Sequence, residues 1–262
     1  MKNELTEEQL NRYNRHIIMS DISKDGQLKL TNSHVVIFGI GGLGSPVSLY
    51  LTASGIGKIT LVDFDKVDTS NLQRQIVHRE KNVGQYKVDS AKQNLTELNN
   101  LAEINTITEK LSEKDATKLI KTADIVIGCT DNFTSRFILN RICYKLKTPL
   151  IYGAVANWEG QLSTYDFRKK AVPCYQCLYK EVKEPKEEKN TTINGVLSPA
   201  VGMIGSMQAI EAIKALLNLE TLSEKLLIID SYTMQFKKLN LNQDKNCPVC
   251  SGLSKKQPQT TS

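Results

Sequence analysis

No stretch of this 262-residue chain strings together the 18 or so apolar residues that a membrane span needs. The nearest, 196–219, is interrupted by Gln208, Glu211 and Lys214. The 15 glycines and 7 prolines follow no period, which excludes a collagen-like fibre, and there is no internal repeat. Charge is only mildly skewed: 34 Lys plus Arg against 28 Asp plus Glu leave +6. The lysines are scattered without interleaved aromatics, so no nucleic-acid stripe is expected. The surplus is assigned to solvated surface, with room for an acidic partner protein or phosphates. The first residues run straight from Met1-Lys2-Asn3-Glu4 into a polar helical pattern. No signal peptide is read there, and a soluble, cytoplasmic protein is expected. Hydrophobic residues at 40% and charged residues at 24% are globular values, and the length suits one or two domains.

What is present is an alternation. Thr6-Glu-Glu-Gln9 has the form of a capping box, and Leu10, Tyr13, His16 and Ile17 follow at helical spacing. A second short helix is expected near 21–30. Apolar runs at 34–39, 58–63, 104–107, 124–129 and 149–155 alternate with helical segments at 43–54, 88–99, 113–121 and 132–147. This rhythm predicts a doubly wound, mostly parallel α/β sheet, Rossmann-like and covered on both faces. Beyond 155 the pattern changes to an antiparallel extension with strands at 161–167, 226–230 and 235–241. A buried helix rich in small residues is expected over 199–219, a solvated loop over 180–190, and a disordered tail over 253–262.

Three groups of residues carry chemistry. The first is Gly39-Ile40-Gly41-Gly42-Leu43-Gly44, between a strand and a helix. Glycines let phosphate oxygens approach backbone amides, and the helix N-terminus adds partial positive charge. Asp63 closes the second strand 19 residues after Gly44, where a ribose-binding acid belongs. Alone, this pattern favours a nicotinamide or flavin dinucleotide and a dehydrogenase.

The second group argues for triphosphate chemistry. It comprises Asp65, the run Ser70-Asn71-Leu72-Gln73-Arg74-Gln75, Gly84-Gln85-Tyr86-Lys87, and Thr130-Asp131-Asn132. Hydride transfer has little use for Arg74, Lys87 and Asp131 around phosphates, whereas cations that neutralise phosphoryl charge and a carboxylate for Mg²⁺ suit a nucleotidyl reaction. Taken singly, each cation is an ordinary surface residue. GxxxxGK[ST] does not occur, so a P-loop phosphate site is excluded.

The third group is Cys174-Tyr-Gln-Cys177 and Cys247-Pro-Val-Cys250. Two CxxC turns in a cytosolic chain suit a tetrahedral structural zinc site better than disulfides or a redox pair. The long separation of the pairs costs little, because loop closure scales only logarithmically.

From Arg12-Tyr-Asn-Arg15 through GxGGLG, SNLQRQ, GQxK and TDN to both CxxC pairs, the chain resembles the ThiF/MoeB/HesA family, over about residues 5–252. The resemblance implies an adenylyltransferase that activates the C-terminal Gly-Gly carboxylate of a ubiquitin-like sulfur carrier protein, ThiS- or MoaD-like, for thiamine or molybdopterin synthesis. It implies ATP held by the glycine loop (Gly39, Gly41, Gly42, Gly44), by Asp63, and by Asp65, Ser70, Asn71, Leu72, Gln73, Arg74, Gln75, Lys87 and Asn132. Catalytic roles fall to Arg74, Lys87 and Asp131, which orients Mg²⁺, and to Arg15, reaching across a homodimer. One domain is expected over 1–252, with a nucleotide half (34–155) and a carrier-binding, zinc-bearing half (156–252). The chain departs from the family at Thr191, where members that link covalently to their carrier have cysteine. Cys129 and Cys143 are assigned to the core, so no covalent carrier link is expected; as no rhodanese domain is read after the adenylyltransferase pattern, sulfur is expected from a separate donor protein. A nucleotide-binding scaffold without turnover and a dinucleotide oxidoreductase are the remaining alternatives.

Overall fold

The computed structural model describes residues 2–181 and 195–251. Most of the expected loop over 180–190, together with Thr191 and the expected tail, lies outside the described residues.

The strands form where apolar residues run without interruption. β1 (His34–Phe38), β2 (Lys58–Val62), β3 (Glu103–Ile107), β4 (Ile125–Gly128) and β5 (Leu150–Ala156) pair in parallel. Every residue of β1 and β4 is buried, as strands covered on both faces must be. β6 (Glu159–Tyr165), β7 (Lys225–Asp230) and β8 (Gln235–Asn240) continue the sheet antiparallel, so eight strands lie in the order β3-β2-β1-β4-β5-β6-β7-β8. The expected mixed architecture is thus observed.

Alternate side chains of β1 divide between two cores. Val35 and Ile37 join Ile59, Leu61, Ile125 and Ile127 on one face, while Val36 and Phe38 join Val62 and Val126 on the other. The first face is covered by α4 (Gly44–Ala53), α5 (Lys87–Leu98) and α9 (Ser198–Leu217). The second is covered by α6 (Glu113–Ile120), α7 (Phe133–Leu146) and α8 (Tyr175–Leu178). A Cβ on Gly205 of α9 would lie 2.4 Å from Pro46 and 2.6 Å from the Leu43 carbonyl, so a small residue lets α9 and α4 pack almost in backbone contact. Among the described residues, α9 is also a helix long and apolar enough to cross a membrane, but it is largely buried in the core and carries buried Gln208 and Glu211.

The helix expected after Thr6 is broken in two, α1 (Glu7–Arg12) and α2 (Asn14–Ile17), while the second short helix is present as α3 (Ser23–Thr31). The break falls at Tyr13, whose ring is buried against Gly55 and whose hydroxyl accepts a hydrogen bond from Asn99 at 2.9 Å. Tertiary anchoring of one ring overrides helical continuity. The capping box at Thr6 and Gln9 is present.

Candidate active site

The chain leaves β1 for β2 and β3 on one side, then crosses to β4 on the other. The crevice between the ends of β1 and β4 is therefore the switch point at which open α/β sheets bind ligands. Phe38 is in register with both Val62 and Gly128, so the loops after β1, β2 and β4 emerge at one level. Those loops hold Gly39–Gly44, Asp63–Asp65 and Asp131–Asn132.

The glycine loop is shaped by close approach. Gly39 has φ +91°, and a Cβ there would lie 2.8 Å from the Cys129 carbonyl; one on Gly44 would lie 2.0 Å from the Gly39 carbonyl. A side chain at either position would push the loop out of the crevice. Gly44 opens α4, so the loop ends at a helix N-terminus with its unsatisfied amides. Next to it lies Arg74, whose aliphatic stem would contact a Cβ on Gly42 at 3.5 Å. Gln75, buried, is the same distance from a Cβ on Gly41.

Asp63 accepts from the Ile40 N–H at 2.7 Å and from the Asp65 N–H at 2.9 Å, tying the end of β2 to the glycine loop. Burial raises its carboxyl above the ordinary range, partly offset by the Ile40 N–H and by Lys87. Lys87, with a side chain only 9% exposed, pairs with Asp65 at 2.8 Å. Its backbone N–H also donates to the Asp65 carbonyl at 2.9 Å.

The segment Ser70–Gln75 begins in a 3₁₀ turn at Thr69–Asn71, capped by Asp68, which accepts from the Ser70 N–H at 2.8 Å. Arg74 folds back on the Ser70 carbonyl at 3.3 Å, and Gln73 accepts a hydrogen bond from Ser198 at the start of α9. Leu72 is half-buried. Asp131 is exposed at the strand edge, and Asn132 caps α7 by accepting from the Ser135 N–H at 2.8 Å.

The structure thus brings together every sequence-predicted nucleotide residue except Arg15. Arg15, exposed on α2, belongs to a segment packed at the opposite end of the sheet. Arg12 there donates to the Leu98 carbonyl at the C-terminus of α5, and Asn99 bridges Tyr13 to the Thr52 carbonyl near the end of α4.

Two site residues escaped the sequence reading. His78 contacts the Ile40 carbonyl at 3.1 Å, and Arg136 clasps the Thr130 carbonyl through Nε at 3.0 Å and Nη2 at 2.8 Å. The contact that ties each to the site is made with a backbone carbonyl, which leaves no trace in a sequence.

The four paired cysteines converge on the other face. All four Sγ atoms lie within 4.8 Å of one another, with Cys174–Cys247 at 3.5 Å and Cys177–Cys250 at 3.2 Å. Four thiolates at about 2.3 Å from one ion would stand roughly 3.8 Å apart, so the donor set fits tetrahedral zinc. Asp244 N–H donates to Cys177 Sγ at 3.4 Å, and Tyr144 of α7 donates to the Cys250 carbonyl at 3.3 Å. Cys129 and Cys143 are buried as expected, and burial pushes the Cys129 thiol up to about 12.

Comparison with known proteins agrees with this geometry. E. coli MccB, solved with succinimide, superposes with a TM-score of 0.79 at 28% identity, covering 95% of this chain and 75% of that one. E. coli MccB solved with ATP gives 0.76 at 25% identity, covering 90% and 76%. The Aedes aegypti protein named adenylyltransferase and sulfurtransferase MOCS3 is 42% identical over 251 residues, 95% of this chain and 57% of that protein. The chain therefore spans little more than half the length of this curated relative. The ThiF family model matches residues 13–249, and with that match over nearly the whole chain, the protein belongs to the ThiF family.

Proposed function

We propose that this chain adenylylates the C-terminal Gly-Gly carboxylate of a small ubiquitin-like sulfur carrier protein, of the ThiS or MoaD kind, in thiamine or molybdenum-cofactor synthesis. One observation carries the reading: a glycine loop at a helix N-terminus, two carboxylates (Asp63, Asp131) and two cations (Arg74, Lys87) meet at the switch point of a ThiF-family sheet.

In the reaction a carrier carboxylate oxygen attacks the α-phosphorus of ATP. The bond from that phosphorus to the bridging oxygen breaks, its electron pair leaves with pyrophosphate, and the carrier acyl-adenylate remains. The attacking carboxylate is already ionised at neutral pH, so no side chain need remove a proton or act as nucleophile. Catalysis then consists of positioning and electrostatic stabilisation. Asp63 receives the ribose, and the loop amides, Asn71, Arg74 and Lys87 neutralise the phosphates. Asp131 would hold Mg²⁺, which is commonly bound through one or two carboxylates plus substrate phosphates and supplies further charge neutralisation.

Arg15 is assigned to the site of a second copy. Its position at the far end of α4 supports this, since that ten-residue helix alone separates the two by about 15 Å. Zinc held by Cys174, Cys177, Cys247 and Cys250 would pin the segment after β8 to α8. The burial of Cys129 and Cys143 supports a separate sulfur donor, because neither thiol is accessible or ionised at neutral pH.

The test is exchange of labelled pyrophosphate into ATP. Exchange should require a carrier ending Gly-Gly, and Asp131→Ala should reduce it more than about 100-fold with unchanged thermal melting. Near-normal exchange in Asp131→Ala would refute the assignment of Mg²⁺ to that carboxylate.

A further inference from the structure

His78 is almost fully buried beside the glycine loop. Its Nε2 lies 3.1 Å from the Ile40 carbonyl oxygen, and its Nδ1 lies 2.9 Å from Ser90 Oγ. A carbonyl only accepts, so Nε2 carries the ring proton and Nδ1 accepts from the Ser90 hydroxyl. Burial, reinforced by Lys87 and Arg79, lowers the ring's pKa to about 4, so this neutral form persists at physiological pH.

The partner of that N–H is what separates His78 from an ordinary satisfied core histidine. Ile40 stands between Gly39 and Gly41, and its own N–H is held by Asp63 at 2.7 Å. One residue of the loop is therefore gripped from both sides, at the amide by Asp63 and at the carbonyl by His78. The Ile40 carbonyl and the Gly41 N–H belong to one planar trans peptide and point in opposite directions. Drawing the carbonyl toward His78 turns the Gly41 N–H the other way. Ser90 lies one turn after Lys87 on α5, and Asn94, one turn further, donates to the Val77 carbonyl at 2.7 Å. His78 thus joins the loop to the helix that carries Lys87.

We infer that His78 is a positioning residue for the nucleotide: through the Ile40 carbonyl it orients the Gly41 peptide, and so the loop amide offered to the phosphates. The inference rests on the ATP site proposed above, though not on the identity of the carrier. ATP–Mg²⁺ titrated calorimetrically into the full chain, without carrier, tests it in wild type, His78→Leu, His78→Gln and Ser90→Ala, with thermal melting alongside. His78→Leu should weaken ATP binding about tenfold, one lost buried hydrogen bond. His78→Gln, whose amide N–H can replace Nε2–H, should stay within about threefold of wild type. Ser90→Ala, which unlocks the ring tautomer, should fall between them. Unchanged ATP affinity in folded His78→Leu, with only the melting temperature lowered, would make the histidine merely structural and overturn the inference. Should His78→Leu not fold, wild-type affinity in Ser90→Ala overturns it equally. A wild-type chain that binds no ATP would overturn the nucleotide site itself.

Discussion

Asp63 and Asp166 are partly or wholly buried, and their pKa values move in opposite directions because of one arginine. Burial raises Asp63, and neighbouring N–H groups and Lys87 offset only part of that. Burial also acts to raise Asp166, but Arg168 donates to it through Nε at 2.8 Å and Nη2 at 2.9 Å and holds it below the ordinary range. A carboxyl lowered in the folded state contributes stability that is present above its unfolded pKa and lost as pH falls through the folded value. Arg168→Ala should therefore cost about 2 kcal/mol at neutral pH by stranding a buried carboxylate. That cost should shrink as pH falls below the usual carboxylate range, as urea unfolding at both pH values would show. A pH-independent cost would contradict this origin. At this scale the sequence was only partly readable. Arg74, Lys87 and Asp131 stood in motifs, whereas His78 finds its partner 38 residues away in a carbonyl that every residue possesses.

Elements were more legible than residues because burial writes periodicity into composition. β1, β2 and β4 are apolar runs of 4 to 5 residues and were placed within about one residue of their ends. β8 was placed as well, although every residue in it is exposed. α8 has no counterpart in the sequence reading: it is one turn that follows Cys174 and contains Cys177, too short to show a period, and its Tyr175 N–H is held by Asn140 of α7 at 2.9 Å. The cysteine cluster shared by α8 and the segment after β8 gives an element-scale prediction. Purified protein should contain about one zinc per chain. Cys250→Ser should lose it and melt roughly 10 °C lower, since a bound metal would add four bonds between two segments otherwise joined by packing and by weaker hydrogen bonds such as Asp244 N–H to Cys177 Sγ. Zinc-free protein with unchanged melting would contradict the assignment.

The whole molecule presents a site with one proposed member missing from its own crevice. Arg15 is fixed to the end of the sheet opposite Gly39–Gly44, through Tyr13, Asn99 and Thr52. If a partner's Arg15 completes each site, Arg15→Ala and Asp131→Ala homodimers should each be nearly inactive. Mixing them should restore exchange, because one heterodimer site carries both residues intact. Failure to complement, with subunit exchange shown independently, would place Arg15 outside catalysis. Transfer of AMP to a carrier carboxylate is read out by the intact mass of the carrier after incubation with ATP and Mg²⁺. The carrier should gain the mass of one adenylyl group, and should not gain it when its terminal glycine is deleted or when Asp131→Ala replaces the wild-type chain. A carrier of unchanged mass, under conditions in which the protein binds both ATP and carrier, would contradict this transfer.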